Sequence, residues 1–299
     1  MIPISVQTGG VEEIYGIDGA YKVIKEAGFD AVDVGLDGMT SMDSVLNQPG
    51  YEKKAQEIRR AADNAGIPVN QTHAPFKDPL DVWEKNENLY PILKRSLEVS
   101  GILGAEIAVV HPYHHPVFLG HEDEMFEKNM AYYGELLPTA IAAKVKIGVE
   151  NMYRVDARRR YIVDDTCSRL YDFIRYVDTL NSPWAVACLD IGHVAVIRQK
   201  DEPWDFIRGL GHDRLKALHV HDNDYVGDQH KLPYEGLIDW NEVTRALGEI
   251  DYQGYFTYET IGHLGACDDD FIPTALKYMA DLAKYLADKA ESCRIPARL

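Results

Sequence analysis

The stretch AVACLDIGH, Ala185 to His193, is an aliphatic run that closes on a carboxylate and, three residues later, an imidazole. Its composition predicts a buried strand over Ala185–Asp190, with polar groups delivered at its C-terminal end. Seven similar runs surround it, spaced about 30 to 40 residues apart: Ile2–Thr8, Ala31–Gly35, Pro68–His73, Glu106–His111, Lys146–Glu150, Ala217–His221 and Gly254–Glu259. Amphipathic stretches separate them. Three of these, Ile17 to Ala27, Tyr51 to Ala65 and Tyr90 to Leu103, stop at Gly28, Gly66 and Gly104, the left-handed residue that ends many helices. Asp239 to Glu242 has the form of a capping box opening the seventh helix, and Phe271 to Lys289 supplies a last amphipathic one. Strand and helix alternate without a linker or low-complexity tract, and neither a GxGxxG after the first strand nor a P-loop lysine motif is present. The expectation is an α/β protein, a single-domain (β/α)8 TIM barrel over residues 1–299.

In such a barrel the residues that close the strands face one axial pocket. Here they are His73, His111, Glu150, Asp190 with His193, His219 with His221, and Glu259. Any one of them alone reads as a satisfied polar group or a helix cap. Six successive strands ending this way is a different matter, because acidic groups converging in one cavity repel each other and need either protons or a cation. Glu150, Asp190, His221 and Glu259, three carboxylates and one imidazole, form an oxygen-dominated set. That chemistry suits Mn2+ or Mg2+, with Zn2+ or Co2+ as further candidates.

The composition narrows the alternatives. Of 299 residues, 46% are hydrophobic and 26% charged, as in globular proteins. Lys plus Arg number 31 against 48 Asp plus Glu, and the net charge of −17 disfavours a nucleic-acid backbone as partner. No apolar window is long enough to span a membrane, and Met1 to Gly10 carries no signal-peptide pattern. Cys167, Cys188, Cys267 and Cys293 form no CxxC pair and read as reduced packing residues in a cytoplasmic protein.

The motifs QTHAPF at Gln71–Phe76, VEN at Glu150, LDIGH ending at His193, HVHDND at His219–Asp224, DQH at Asp228–His230, IDW at Ile238–Trp240 and the last-strand Glu259 together resemble the xylose-isomerase-like barrel superfamily, in its sugar-phosphate isomerase/epimerase branch. That branch includes ketose 3-epimerases and hydroxypyruvate isomerase, with endonuclease IV a distant cousin. The resemblance implies that Glu150, Asp190, His221 and Glu259 hold the metal, that Glu150 and Glu259 exchange the substrate proton, and that His193 contacts substrate oxygens. His219 is expected to be a supporting or core residue. The implied reaction is isomerisation or epimerisation of a small sugar, sugar phosphate or hydroxy-keto acid through an enediolate. Related barrels also imply a homo-dimer or homo-tetramer.

Two departures from the epimerase pattern matter. Tyr225 to His230 replaces the loop that carries an Arg in those enzymes, and Asp228 with His230 is similar to a pair that holds extra zinc in endonuclease IV. His73, His111 and His193 match further zinc positions there. The alternatives are therefore a multinuclear metallo-phosphoesterase of that type, a keto-inositol dehydratase, or a metal-free carbohydrate-binding barrel.

Arg154, Arg158, Arg159 and Arg160 form the one dense basic patch, directly after Glu150. It reads either as a solvated or subunit-contact face pairing with Asp164 and Asp165, or as a grip on a substrate phosphate. The segment from His111 to His121, with His114, His115 and Phe118, is too long for a plain turn and reads as a lid or specificity element. His73, His111, His114, His230 and Arg158 are the expected substrate contacts. Trp83 and Trp240 are candidates for the pocket rim or the core.

Overall fold

Eight short buried runs pair in parallel, in a computed structural model that describes residues 1–76, 88–156, 158–197 and 199–294. They are β1 (Ile4–Gln7), β2 (Ala31–Gly35), β3 (Val69–His73), β4 (Ile107–Val110), β5 (Lys146–Glu150), β8 (Ala185–Asp190), β9 (Leu215–His219) and β10 (Phe256–Tyr258). Two further strands, β6 (Tyr153–Val155) and β7 (Ile162–Asp164), make a separate antiparallel ribbon. The parallel order is β10-β1-β2-β3-β4-β5-β8-β9. Closure comes just past the end of β9: Val220 N donates to Thr257 O at 2.9 Å and Glu259 N to Val220 O at 3.2 Å. With helices around the strands, this is the (β/α)8 barrel expected from the sequence. No described helix is long and apolar enough to cross a membrane.

The pleat decides what each strand shows to the axis. Ile107, Val109, Val186, Cys188 and Ala217 pack together in a small cluster of their own, whereas Ala108, Val110, Ala187, Leu189 and Leu218 join the larger core with the helices. The first group is the barrel interior. Gly148 belongs to it, since a Cβ there would lie 3.0 Å from Ile107 Cγ2 and 3.3 Å from Cys188 Cβ. Side chains two residues further on share the same face. His111, Glu150, Asp190 and His219 therefore stand one step above Val109, Gly148, Cys188 and Ala217.

Two expectations shift. The seventh barrel strand runs over Leu215–His219, two residues earlier than the predicted Ala217–His221. Its pairing begins where helix Pro203–Arg214 ends, with Leu215 opposite Ala187 and His219 opposite Asp190. The box at Asp239 is only half formed: Asp239 Oδ1 accepts from Asn241 N and Glu242 N, but the Glu242 carboxylate turns to Arg208 and Arg245. A reciprocal box opens the preceding helix instead, between Glu202 and Asp205.

The interior layer leaves no room beneath Glu150. Gly148→Val is expected to destabilise the protein by about 1–3 kcal/mol through overpacking. Urea unfolding checks this, and an unchanged midpoint would mean that the layer repacks freely.

Candidate functional site

The strand ends open into a cavity of about 760 Å³ whose walls include His73, His111, His114, Glu150, His193, Asp228, His230 and Glu259. Asp190, His219 and His221 are fully buried beneath it. Arg158 is exposed and does not line the cavity; Arg154 and Arg160 do. Trp240 is core, with its indole N–H donating to Asp222 at 2.8 Å, and Trp83 lies outside the described residues.

Four groups of ligand-type side chains adjoin or overlap one another in and beneath this cavity, one of them His73 with His219 and Glu259. In the central one, Glu150, Asp190, His219 and Glu259 bring one ligand atom each within 4.8 Å of all the others. His219 Nδ1 sits 2.7 Å from Glu150 Oε1, 3.1 Å from Glu259 Oε2 and 4.0 Å from Asp190 Oδ2. The imidazole within this group is His219; His221, expected with these carboxylates from the sequence, lies 3.0 Å from Asp190 Oδ1.

The second group joins His73 and His111 to Glu150, whose Oε2 lies 3.7 Å and 3.0 Å from their Nε2 atoms. The third contains His193, His221, Asp228 and His230. Asp228 Oδ2 is 2.9 Å from His230 Nε2 and 3.6 Å from His193 Nε2, while Asp228 Oδ1 is 3.6 Å from His221 Nε2. Asp190 bridges this group to the centre, 3.0 Å from His221 Nε2 and 3.8 Å from His193 Nε2. The approach of His221 depends on Gly192, because a Cβ at that position would fall 1.9 Å from its Cε1.

The ring orientations are set from outside. Three histidines give Nδ1–H to a backbone carbonyl: His73 to Ala74 O at 2.9 Å, His193 to Asn151 O at 2.9 Å and His230 to Glu259 O at 2.8 Å. Each then points Nε2 into its group, the arrangement typical of a metal-ligating imidazole. Asn151 also brackets Asp190, donating Nδ2–H to its carbonyl and accepting its N–H. On its far side His219 faces Asp33, 3.6 Å from Nε2, and Gln71 holds Asp33 in place at 3.0 Å. Asn151 in this bracketing role, and Asp33, were not singled out from the sequence; a polar residue inside a predicted strand, as at Asp33, was the one available signal.

Electrostatically the cluster is strongly polarised. Burial favours the neutral acid at Glu150, yet His219 and His111 hold its carboxyl well below the usual range. Burial acts likewise on Asp190, which the nearby His193 and His221 bring down to about 2. Burial also opposes charge on the histidines. At His73 the Glu150 carboxylate outweighs it and raises the pKa to about 9, and at His230 Asp228 does the same, again to about 9. His193 goes well above the usual value as Asp190 and Asp228 overcome burial, and His219 does so beside Cys188, Glu259 and Glu150. His111 is the exception: desolvation wins and lowers it to about 4. Glu150 Oε2 and Asp228 Oδ1 are enclosed oxygens that no described donor reaches with hydrogen-bond geometry. Buried, unmatched oxygens among Nε2 atoms aimed at them are a donor set that fits a divalent cation.

The loop carrying Asp228 and His230 hangs on Asp222, a buried carboxylate accepting from Asn223 N, Tyr234 N, Ile238 N and Trp240 Nε1 at 2.8–3.1 Å. Its backbone also pairs in both directions with Lys231.

The family model described as xylose isomerase-like TIM barrel matches residues 21–295. An uncharacterised protein of Methanocaldococcus jannaschii is 28% identical over 243 residues, 79% of this chain and 76% of that protein. The D-psicose 3-epimerase of Enterocloster bolteae is 26% identical over 280 residues, 89% of this chain and 83% of that enzyme. A solved D-tagatose 3-epimerase-like protein superposes with a TM-score of 0.70 at 22% identity, covering 96% of this chain and 99% of that one. The 3-keto-D-glucoside 4-epimerase of E. coli does so with a TM-score of 0.70 at 18% identity, covering 96% and 100%. At such identities the likeness of these two structures speaks for the fold.

Replacing Asp222 with Ala leaves its four donors without their carboxylate. A loss of about 3 kcal/mol or more is expected, read as a lower urea midpoint; a midpoint within error of the parent would remove Asp222 as the anchor of this loop.

Proposed function

The chain belongs to the xylose isomerase-like TIM barrel family, and from that membership and the cavity geometry we propose that it is a divalent-metal-dependent isomerase or epimerase of a small ketose or hydroxy-keto compound. One observation carries the reading. Glu150, from β5, and Glu259, which follows β10, approach one imidazole nitrogen from separate walls of the cavity, 2.7 Å and 3.1 Å from His219 Nδ1. Two carboxylates so placed can address the two faces of one substrate carbon, one removing a proton and the other returning it.

Glu150, Asp190, His219 and Glu259 are the residues that would hold the cation. Bound there, a divalent ion would supply the positive charge that acidifies a C–H beside a ketone. Three carboxylates and one imidazole favour Mn2+ or Mg2+. Glu150, held ionised by His219 and His111, is a ready proton acceptor. Glu259, with 18% of its side chain exposed, is the carboxylate that meets the substrate most openly. His193 lines the cavity with Nε2 inward, suited to a hydrogen bond with a substrate oxygen. The D-psicose 3-epimerase relative, aligned over most of both chains, agrees with a ketose-sized substrate.

A second reading has its own support. The nitrogen-rich groups around Glu150 and Asp228 adjoin the central one and suit Zn2+ or Co2+, so a multinuclear metallo-phosphoesterase fits the same residues. The net charge of −17 weighs against DNA as its substrate. Cleavage of an abasic-site oligonucleotide by the metal-loaded protein would place this reading first.

Incubated in D2O with Mn2+ and a panel of ketoses, the protein is expected to exchange one C–H next to the carbonyl, seen by NMR. Glu150→Gln and Glu259→Gln should each lower that rate by about 10²–10⁴-fold, compared at Mn2+ concentrations raised until elemental analysis shows parental metal content. Exchange at parental rates in both variants would refute the two-carboxylate scheme.

Metal uptake should also expel protons. With pKa values near 9, His73 and His230 are protonated at pH 7.5 without metal, and His193 and His219 are raised in the same direction. Ligation needs the neutral imidazole, so apparent affinity rises from pH 7 towards 9. Titration calorimetry in buffers of different ionisation enthalpy measures the release, and identical heats would contradict the protonated resting state.

A further inference from the structure

The cavity has two chemically distinct ends. Its floor is the carboxylate and imidazole cluster, whereas one stretch of its rim is built by the ribbon of β6 and β7, which brings Arg154 and Arg160 to the lining. Among the described lining residues these are the only Arg or Lys side chains. Such a pair is against the trend in a chain whose net charge is −17.

Neither arginine is placed loosely. Arg154 is largely buried, with 20% of its side chain exposed; its guanidinium donates to the His115 carbonyl and lies 3.6 Å from Asp165 Oδ2. Asp165 is itself fixed by His114, whose Nδ1 is 2.6 Å away on the same wall. Arg160 sits at the ribbon's turn, where Asp156 O accepts from its N–H at 2.7 Å and Asp156 Oδ1 accepts from Arg158 N and Arg159 N. The Asp156 carboxylate also pairs with Arg159 at 3.8 Å, and no described carboxylate pairs with Arg160. One cation is thus partly matched by Asp165 and the other stands open to the cavity.

We propose that this rim is an anion subsite: the substrate carries a carboxylate or a phosphate at the end remote from its reacting carbons, and Arg160, with Arg154 behind it, holds that group. The proposal rests on the isomerase or epimerase reading above and adds the class of substrate to it. A neutral ketose finds hydrogen-bonding partners at the floor but leaves the rim unmatched. An anionic tail held by the rim arginines fixes the orientation of the molecule, with its carbonyl end towards the carboxylate and imidazole cluster.

The test compares three ketoses of similar size on the Mn2+-loaded protein: D-fructose, D-fructose 6-phosphate and a keto-sugar acid such as 5-keto-D-gluconate. Dissociation constants come from calorimetry, and C–H exchange is followed alongside. The comparison variant is Arg160→Asn, since Asn accepts the left-handed backbone at this position (φ 61°) and is too short to reach an anion. At least one charged ketose is expected to bind about 10–100-fold more tightly than D-fructose, and Arg160→Asn should remove most of that preference without changing the D-fructose constant. Which charged ketose gains more distinguishes carboxylate from phosphate. Equal binding of all three, or a preference that survives Arg160→Asn, overturns the subsite. Binding is read whether or not turnover occurs. Failure of C–H exchange with every ketose would instead count against the reaction, leaving the binding result intact.

Discussion

Like charge held in a small volume is the constraint on which the rest of this molecule turns. Ligand atoms of Glu150, Asp190 and Glu259 lie within 4.8 Å of one another, around His219. At that separation and an effective dielectric near 20, each carboxylate pair repels by about 3 kcal/mol or more. A flexible loop would relax by letting the side chains swing apart. Strands cannot: all four are tied to a close-packed parallel sheet at or just past a strand end, and the layer of Val109, Gly148, Cys188 and Ala217 beneath them leaves no space to retreat. The barrel therefore stores the repulsion and offsets it with protons on the histidines, or with a cation in their place.

The surroundings make sense as supports for that arrangement. Asn151 spans from the end of β5 to both backbone groups of Asp190 and to the His193 ring, tying two adjacent strand ends into one unit. Asp33 and Gln71 back His219 from the opposite side. Asp222 performs the corresponding task for the loop after β9, gathering four donors so that Asp228 and His230 arrive at fixed positions. None of these side chains faces the open cavity, yet they determine where the nitrogen and oxygen atoms that do face it are aimed.

The barrel was legible because the signals that define it are local. β-branched runs, glycine stops and ligand-type residues at run ends can be read one segment at a time, and their repetition does the rest. What escaped was non-local. Strand β9 begins two residues earlier than its composition suggests because its register is set by pairing with β8, and this shift puts His219 rather than His221 at the strand's end. In HVHDND the two histidines lie two residues apart on one face, and both reach carboxylates, His219 at Glu150 (2.7 Å) and His221 at Asp190 (3.0 Å). The ribbon of β6 and β7 was likewise invisible: Tyr153–Val155 and Ile162–Asp164 are too short to register as strands, so the arginines between them read as an undivided patch. Their division, with Arg154 and Arg160 turned to the cavity and Arg158 away from it, is a product of the turn around Asp156.

The ligand groups cannot behave as independent sites, since they share members or adjoin through one carboxylate. Glu150 belongs both to the central group and to the pair His73 and His111, and Asp190 stands between the centre and His193 and His221. Charge brought to one group is felt in the next through a shared carboxylate a few ångströms away. At an effective dielectric near 20 such a neighbour is worth several kcal/mol, enough to decide whether an adjoining histidine keeps its proton. Glu150 Oε2 stands beside both His73 and His111, 3.7 Å and 3.0 Å from their Nε2 atoms, so one carboxylate serves two imidazoles. Glu150 is thus the residue through which the whole floor of the cavity is coupled, which follows from its position at the end of β5, between the neighbouring ends of β4 and β8.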